Sequence, residues 1–137
     1  MEIIKLTREM FENGQPFAQG EVRIWMKEFA PKEFIPEQDN LKEVEAENGM
    51  LMVAHSESGH HHTIEVLDRP GAPHSKTAQR LIDQTNDLIA ELRIHEVSKL
   101  IHHRANDTHK AYLLPPGVYI SRIDTEYVNE AYRRVAD

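Results

Sequence analysis

The chain of 137 residues contains no cysteine. This absence excludes disulfides, thiolate catalysis and every zinc motif that uses cysteine, so any metal must be held by His, Asp, Glu or water. The chain also lacks an apolar run near the roughly 18–20 residues that cross a bilayer. Residues 1–6 lack the basic-then-apolar layout of a signal peptide. We therefore predict a soluble cytoplasmic protein without a membrane segment.

Positive charge is scarce. Lys and Arg number 16 against 23 Asp and Glu, which gives a net charge of −7. A surface that follows nucleic-acid phosphates needs an excess of cations, so nucleic-acid binding is not indicated. Hydrophobic residues make up 39% and charged residues 28%, a balance typical of an ordinary folded chain. The length suits one domain over residues 1–137.

Short segments with strand patterns dominate the chain. Residues 21–27 alternate polar and apolar side chains, which predicts a half-buried strand. The acidic stretch 33–47 is predicted to be a surface loop. Further strands are predicted at residues 1–6, 50–55, 60–67, 91–97, 98–104, 110–114 and 118–123, with 91–104 open to being one bent strand.

Two segments have helical patterns. Apolar or small residues of segment 76–90 fall on one helical face. They are Ala78, Leu81, Ile82, Thr85, Leu88 and Ile89. We predict an inserted amphipathic helix there and a short C-terminal helix over residues 126–135. Because short strands separated by Gly and Pro outnumber these helices, the predicted fold is mainly β, a compact barrel or sandwich.

Histidines concentrate in the middle of the chain, at positions 55, 60, 61 and 62. Side chains alternate along a strand, so His60 and His62 share one face with Ile64 and Val66. That face contains the apolar residues, and we expect it to point into the core. The opposite face takes His61.

Two imidazoles at positions i and i+2 of one strand are close enough to bind a single ion. A second group of histidines follows far along the chain, at 102, 103 and 109. Three or four such nitrogens suit zinc or another divalent transition metal. The predicted metal ligands are His60, His62, His102 and His109, with His55 and His103 as alternates.

Other interpretations of the histidines stay open. Inward histidines can be satisfied by carbonyls and carboxylates without a metal, and a histidine-rich turn can simply be exposed. If a bound metal keeps an open position, metal-activated water and hydrolysis follow. The competing function is a non-enzymatic interaction module with structural histidines. There the acidic stretch 33–47 or the segment 76–90 would contact a protein partner, or the chain would form a homo-oligomer.

Three short elements occur in order along the chain. They are G-H-H-H-T-I at residues 59–64, L-L-P-P-G-V-Y at 113–119 and R-R-V-A-D at 133–137. Together they resemble a family of small bacterial and phage-borne proteins of no established activity, which share G-H-x-H, L-P-P-G-x-Y and R-R-V-x-D elements. The Gly-Asp that starts a strand in that family corresponds to Gly20 and Glu21 here. The resemblance implies a single compact domain and a phage or prophage origin.

A looser similarity connects the chain to cupins. Cupins bind metal with an inward H-x-H and a downstream Glu, and they have a P-x-G turn followed by another His. Residues 60–62 supply the H-x-H and residues 115–117 resemble the turn. Glu65 departs from the pattern because it falls on the opposite strand face from His62, and Val118 follows the turn where the late His is expected. In a cupin-like barrel, His102 or His109 would replace that ligand.

Overall fold

The computed structural model describes residues 2–46, 50–54, 61–66, 77–103, 110–128 and 131–134. The strands are β1 (Glu2–Lys5), β2 (Phe17–Gln19), β3 (Val22–Met26), β4 (Leu41–Val44), β5 (Leu51–Ala54), β6 (His62–Val66), β7 (Ala78–Asp83), β8 (Asn86–Ile94), β9 (Ser98–His102), β10 (Lys110–Leu114), β11 (Gly117–Ile123), β12 (Thr125–Val128) and β13 (Ala131–Arg134). One α-helical turn, α1 (Arg8–Phe11), follows β1. Short 3₁₀ turns lie at Lys27–Phe29, Lys32–Phe34 and Gln38–Asn40. No helix within these ranges is long and apolar enough to cross a membrane.

The strands form two main sheets and a separate hairpin. The first sheet has the order β1-β10-β9-β6-β5, and the second has the order β2-β3-β11-β8-β7-β4. Within the described residues, β12 and β13 pair with each other and with no other strand. The two main sheets pack as a sandwich and do not close into a barrel. The prediction of a mainly β fold is confirmed, and its sandwich form is the one observed.

The hydrophobic core lies between the two sheets. Ile64 and Leu100 contribute from the first sheet, and Ile24 and Leu92 from the second. A hydrogen bond also joins the sheets: the Tyr112 hydroxyl on β10 donates to the Ala18 carbonyl oxygen on β2, at 2.8 Å. These contacts fix the spacing between the sheets, and therefore the positions of any side chains that meet there.

The predicted helix over 76–90 is wrong. The described part of this segment, together with residues 91–94, forms the hairpin of β7 and β8, paired from Ala78 opposite Ile94. At its turn the Asp83 carboxylate accepts the Thr85 amide at 2.9 Å and the Thr85 hydroxyl at 2.6 Å. This local turn chemistry ends β7 and favours reversal of the chain. The apolar spacing is typical of a helix because Ala78 and Leu81, which are buried in β7, lie three residues apart, and because the pairing with β8 shifts between Ile82 and Asp83, so the segment lacks a period of two.

The predicted C-terminal helix over 126–135 is also wrong. The chain forms β12 and β13 instead, with Tyr127 opposite Tyr132 in the register. Aromatic and β-branched residues at Thr125, Tyr127, Val128 and Tyr132 favour a strand over a helix.

The remaining strand predictions need smaller corrections. The stretch 33–47 was predicted as a loop, but four of its residues form β4, which covers the edge of β7. A long strand such as β7 exposes unpaired backbone groups unless a neighbour covers it. Residues 91–104 are not one bent strand: β8 belongs to the second sheet and β9 to the first.

A buried carboxylate links the 3₁₀ turns to the second sheet. Glu91 on β8 accepts hydrogen bonds from Lys27 Nζ at 2.8 Å, Arg93 Nε at 2.7 Å and Gln38 Nε2 at 3.3 Å. Burial alone would raise the pKa of Glu91, but these hydrogen bonds and the charge of Lys27 outweigh it and hold the pKa below the ordinary 4.5. Ionised Glu91 therefore stabilises the fold.

Replacing Glu91 with glutamine should lower the free energy of unfolding by about 2 kcal/mol at pH 7, because charge-assisted hydrogen bonds are lost. The folded pKa is depressed, so the stabilisation is fully present above 4.5 and disappears as the pH falls through the lower folded value. The deficit of Glu91→Gln should accordingly shrink below that pH. Urea unfolding at pH 7 and at lower pH measures it, with exposed Glu33→Gln as control. If the unfolding free energies of Glu91→Gln and of the native chain changed with pH in parallel, ionised Glu91 would not be the source of this stability.

Candidate metal centre

Three buried polar side chains meet between the two sheets. His62 on β6 and His102 on β9 belong to the first sheet, and Glu21 precedes β3 in the second. One ligand atom from each lies within 4.8 Å of the others. The residues are 0%, 7% and 1% exposed, respectively. The arrangement brings together residues that are remote in sequence and encloses them in the sandwich.

Strand register places the two histidines side by side. β6 and β9 are antiparallel, with His62 directly opposite His102, so their side chains leave the sheet on the same face. The two rings stack with centroids 4.0 Å apart and planes inclined by 14°. Ile64 and Leu100, two residues along each strand, belong to the core cluster. The prediction that His62 points inward is confirmed.

Glu21 reaches the interior from a tight turn. Gly20 and Glu21 are the two residues between paired Gln19 and Val22, which close the β2–β3 hairpin. Gly20 has a positive φ of 56°, a conformation that glycine adopts without strain. The Asp124 amide donates to the Glu21 carbonyl oxygen at 2.7 Å and fixes the turn against the end of β11.

Gln19 determines which nitrogen of His62 bears hydrogen. Its Nε2 donates to the Leu100 carbonyl oxygen at 3.0 Å, so the amide oxygen must face His62 Nδ1, 2.8 Å away. An amide oxygen only accepts, and Nδ1 must therefore be the protonated donor. A polar partner on one ring nitrogen that orients the other toward an ion is the usual support of a metal-binding histidine.

The second nitrogen of His62 faces the carboxylate. His62 Nε2 lies 3.2 Å from Glu21 Oε2. With Nδ1 protonated, Nε2 of a neutral ring has a lone pair, and the carboxylate oxygen also only accepts. The contact therefore requires a proton or a cation between the two atoms. Ligand atoms of a tetrahedral zinc with bonds of about 2.0–2.2 Å stand about 3.3–3.6 Å apart, so the observed distance is close to the lower end of that range.

The stacked ring of His102 sets a condition on metal binding. In-plane lone pairs of nearly parallel rings do not converge on one point. An ion held by both histidines therefore requires the ring of His102 to turn out of the stack, toward Glu21.

Of the predicted ligands, the structure brings together His62 and His102. His60 and His109, and the alternate His55, lie outside the described residues. The other alternate, His103, follows His102 on the chain and points to the opposite face, where its Nε2 lies 2.7 Å from the Thr63 hydroxyl oxygen. Burial, with the nearby charges of His61 and His62, lowers the pKa of His103 against the opposing effect of Glu65.

Glu21, the third member of the cluster, is absent from the residues predicted from the sequence. Strict alternation along β3 would put it with Arg23, on the face opposite to the core residues Val22 and Ile24. Its position in the turn releases it from this alternation. The available signal was the resemblance described above, in which Gly20 and Glu21 correspond to the Gly-Asp that starts a strand.

The fold and the site together define a two-sheet β-sandwich with a buried carboxylate–imidazole cluster between its sheets. Residues 18–124 match the domain of unknown function DUF8820, and the chain belongs to this family. The matched range includes Glu21, His62 and His102. Comparisons with curated proteins and with solved structures find no match. Membership of an uncharacterised family is thus confirmed, while the phage origin and the similarity to cupins stay predictions.

Proposed function

We propose that this protein is a metal-binding β-sandwich in which one divalent transition metal, zinc first, is held by Glu21, His62 and His102. The observation that supports this most is the pairing of His62 Nε2 with the Glu21 carboxylate at 3.2 Å, with Nδ1 already occupied by Gln19. Mixed imidazole and carboxylate donors are a ligand set that zinc accepts. His60 and His109 stay the predicted candidates for a further ligand.

The metal in this proposal is structural. Its three ligands come from both sheets, so the ion would cross-link the two layers of the sandwich. The ligands are also enclosed, which denies a substrate access through the described part of the chain. A hydrolytic role would need an open coordination position that solvent and substrate can reach. Binding energy for the ion then adds directly to the stability of the folded state.

A metal-free cluster is the second candidate. Here a hydrogen bond through one proton joins His62 Nε2 to the Glu21 carboxylate, and a 3.2 Å contact is within reach of such a bond. The undisturbed stacking of His62 on His102 favours this state, because it needs no ring movement. In that case the histidines are structural, as the competing hypothesis of a non-enzymatic interaction module requires.

Zinc titration against a competing chromogenic chelator tests the proposal, and two Gln19 variants sharpen it. The native protein should bind one zinc per chain. Gln19→Met should bind it about 10- to 100-fold more weakly, because His62 Nδ1 loses its acceptor. Both variants lose the hydrogen bond from Gln19 Nε2 to the Leu100 carbonyl oxygen. Gln19→Glu keeps an acceptor for Nδ1, however, and so should bind zinc at least as tightly as the native chain.

The two variants separate orientation of His62 from general damage to the hairpin. Equal zinc affinities of Gln19→Met and Gln19→Glu would show that the acceptor at His62 Nδ1 does not orient His62 toward the metal. Failure of the folded native protein to compete for zinc would favour the metal-free cluster.

A further inference from the structure

An apolar groove lies at the end of the sandwich opposite to the metal centre. Its floor includes Leu6 and Met26, and one wall is formed by residues 115–118. Its volume is about 890 Å³. Val118 is one of the few exposed large apolar side chains among the described residues. Concave, mostly apolar sites of about 300–1,000 Å³ are typical of small-molecule binding.

The groove and the metal centre do not overlap. Glu21, in the metal centre, directly precedes β3, and Met26, in the groove, is the last residue of β3. At about 3.3 Å per residue along a strand, their backbones are about 17 Å apart. In the first sheet, His102 ends β9 beside the start of β10, whereas Pro115 follows the end of β10. Both sheets therefore place the two sites at opposite ends.

Charge at the groove opposes that of the whole chain. Four cationic side chains and one carboxylate, Glu28, line it in a protein of net charge −7. Two of the cations are already paired, Arg8 with Glu28 and Lys27 with Glu91. Lys5 and Lys32 are exposed, and neither forms an ion pair with any described residue. The groove thus offers an apolar interior and two cations at its rim.

We propose that this groove binds a small anionic amphiphile, a carboxylic acid with a hydrocarbon body. The hydrocarbon would contact Leu6, Met26 and Val118, and the carboxylate would lie at Lys5 and Lys32. A single concave site suits a small ligand better than a protein partner, whose stable interface buries about 800 Å² on each side. This binding is independent of the metal.

The test ligand is decanoate, added below its critical micelle concentration. Its binding is measured from changes in the backbone amide chemical shifts of ¹⁵N-labelled protein. Shifts should concentrate on residues that line the groove, and the dissociation constant should follow from the same titration. Lys5→Glu and Lys32→Glu together should weaken binding about tenfold, since two exposed charge contacts change sign. Lys42→Glu, an exposed reversal on β4 outside the groove, should leave the affinity unchanged.

Decyltrimethylammonium, with the same hydrocarbon and the opposite charge, should bind at least about tenfold more weakly than decanoate. Equal binding of the two, or decanoate shifts spread away from the groove, would overturn the proposal. So would dimerisation through the groove that Val118→Glu abolishes, because a second copy would then be the occupant. Glu21→Gln, which disables the metal centre, should leave decanoate binding unchanged, so the two proposals fail separately.

Discussion

Replacing His62 with alanine should lower the free energy of unfolding by about 3–5 kcal/mol, the largest loss we expect in the polar cluster. His62 is fully buried, and its ring contacts Gln19 and Glu21 through both nitrogens. Removing it leaves a cavity beside the buried carboxylate of Glu21, together with the unmatched amide oxygen of Gln19. A zinc-loaded protein would lose the binding energy of the ion in addition.

Urea unfolding of the native chain and of His62→Ala, each with zinc and with a chelator, measures this loss. The matched control is His95→Ala, since the exposed His95 side chain hydrogen-bonds to the side chain of Gln79, at 3.0 Å, and its backbone amide, which donates to the Thr77 carbonyl oxygen, is kept in the variant. The control should cost below about 1 kcal/mol. If His62→Ala cost no more than His95→Ala, the cluster would not contribute to stability.

Glu21→Gln should lower the zinc affinity by at least about 100-fold while the protein stays folded. Loss of a partner of a metal ligand already costs about 10- to 100-fold, and loss of a charged ligand should cost more. The glutamine amide can donate to His62 Nε2, so the contact at 3.2 Å survives without an ion. Because a buried charge is removed, the metal-free variant should be at least as stable as the metal-free native protein.

Competition titration and urea unfolding of the same samples check both halves of this prediction. Glu65→Gln is the control, because Glu65 lies on β6 near the histidines but on the face opposite to His62. Its zinc affinity should stay within a few-fold of the native value. Native-like zinc binding by Glu21→Gln would remove Glu21 from the proposed ligands.

The sequence was sufficient to predict many of the strands, including β6, β9 and β10 of the first sheet, and two of the three residues of the cluster. Alternation along residues 60–67 predicts the inward direction of His62, and the two groups of histidines predict that His102 joins it. These inferences succeed because a strand has a fixed period of two and because neighbouring strands bring facing positions together. Both depend on local geometry or on simple pairing.

Features that depend on tertiary packing could not be predicted. The buried side chains of β7 do not alternate, and its pairing with β8 is irregular at Ile82 and Asp83, which allowed a helical interpretation of residues 76–90. Glu21 is 41 residues from His62 in the chain, and only the packing of two sheets brings them together. The groove likewise forms only where α1, the 3₁₀ turns and the turn at residues 115–117 meet in space. No periodicity in the sequence indicates that these segments are neighbours.

The most direct test of a metal centre is elemental analysis of untagged protein purified without nickel resin. His62→Ala, prepared in the same way, is the comparison. We expect close to one zinc, or another divalent transition metal, per native chain and none in the variant. A native protein that contains no metal, and that takes up none when zinc is added, would contradict the proposed metal centre and leave the cluster as a hydrogen-bonded pair of buried side chains.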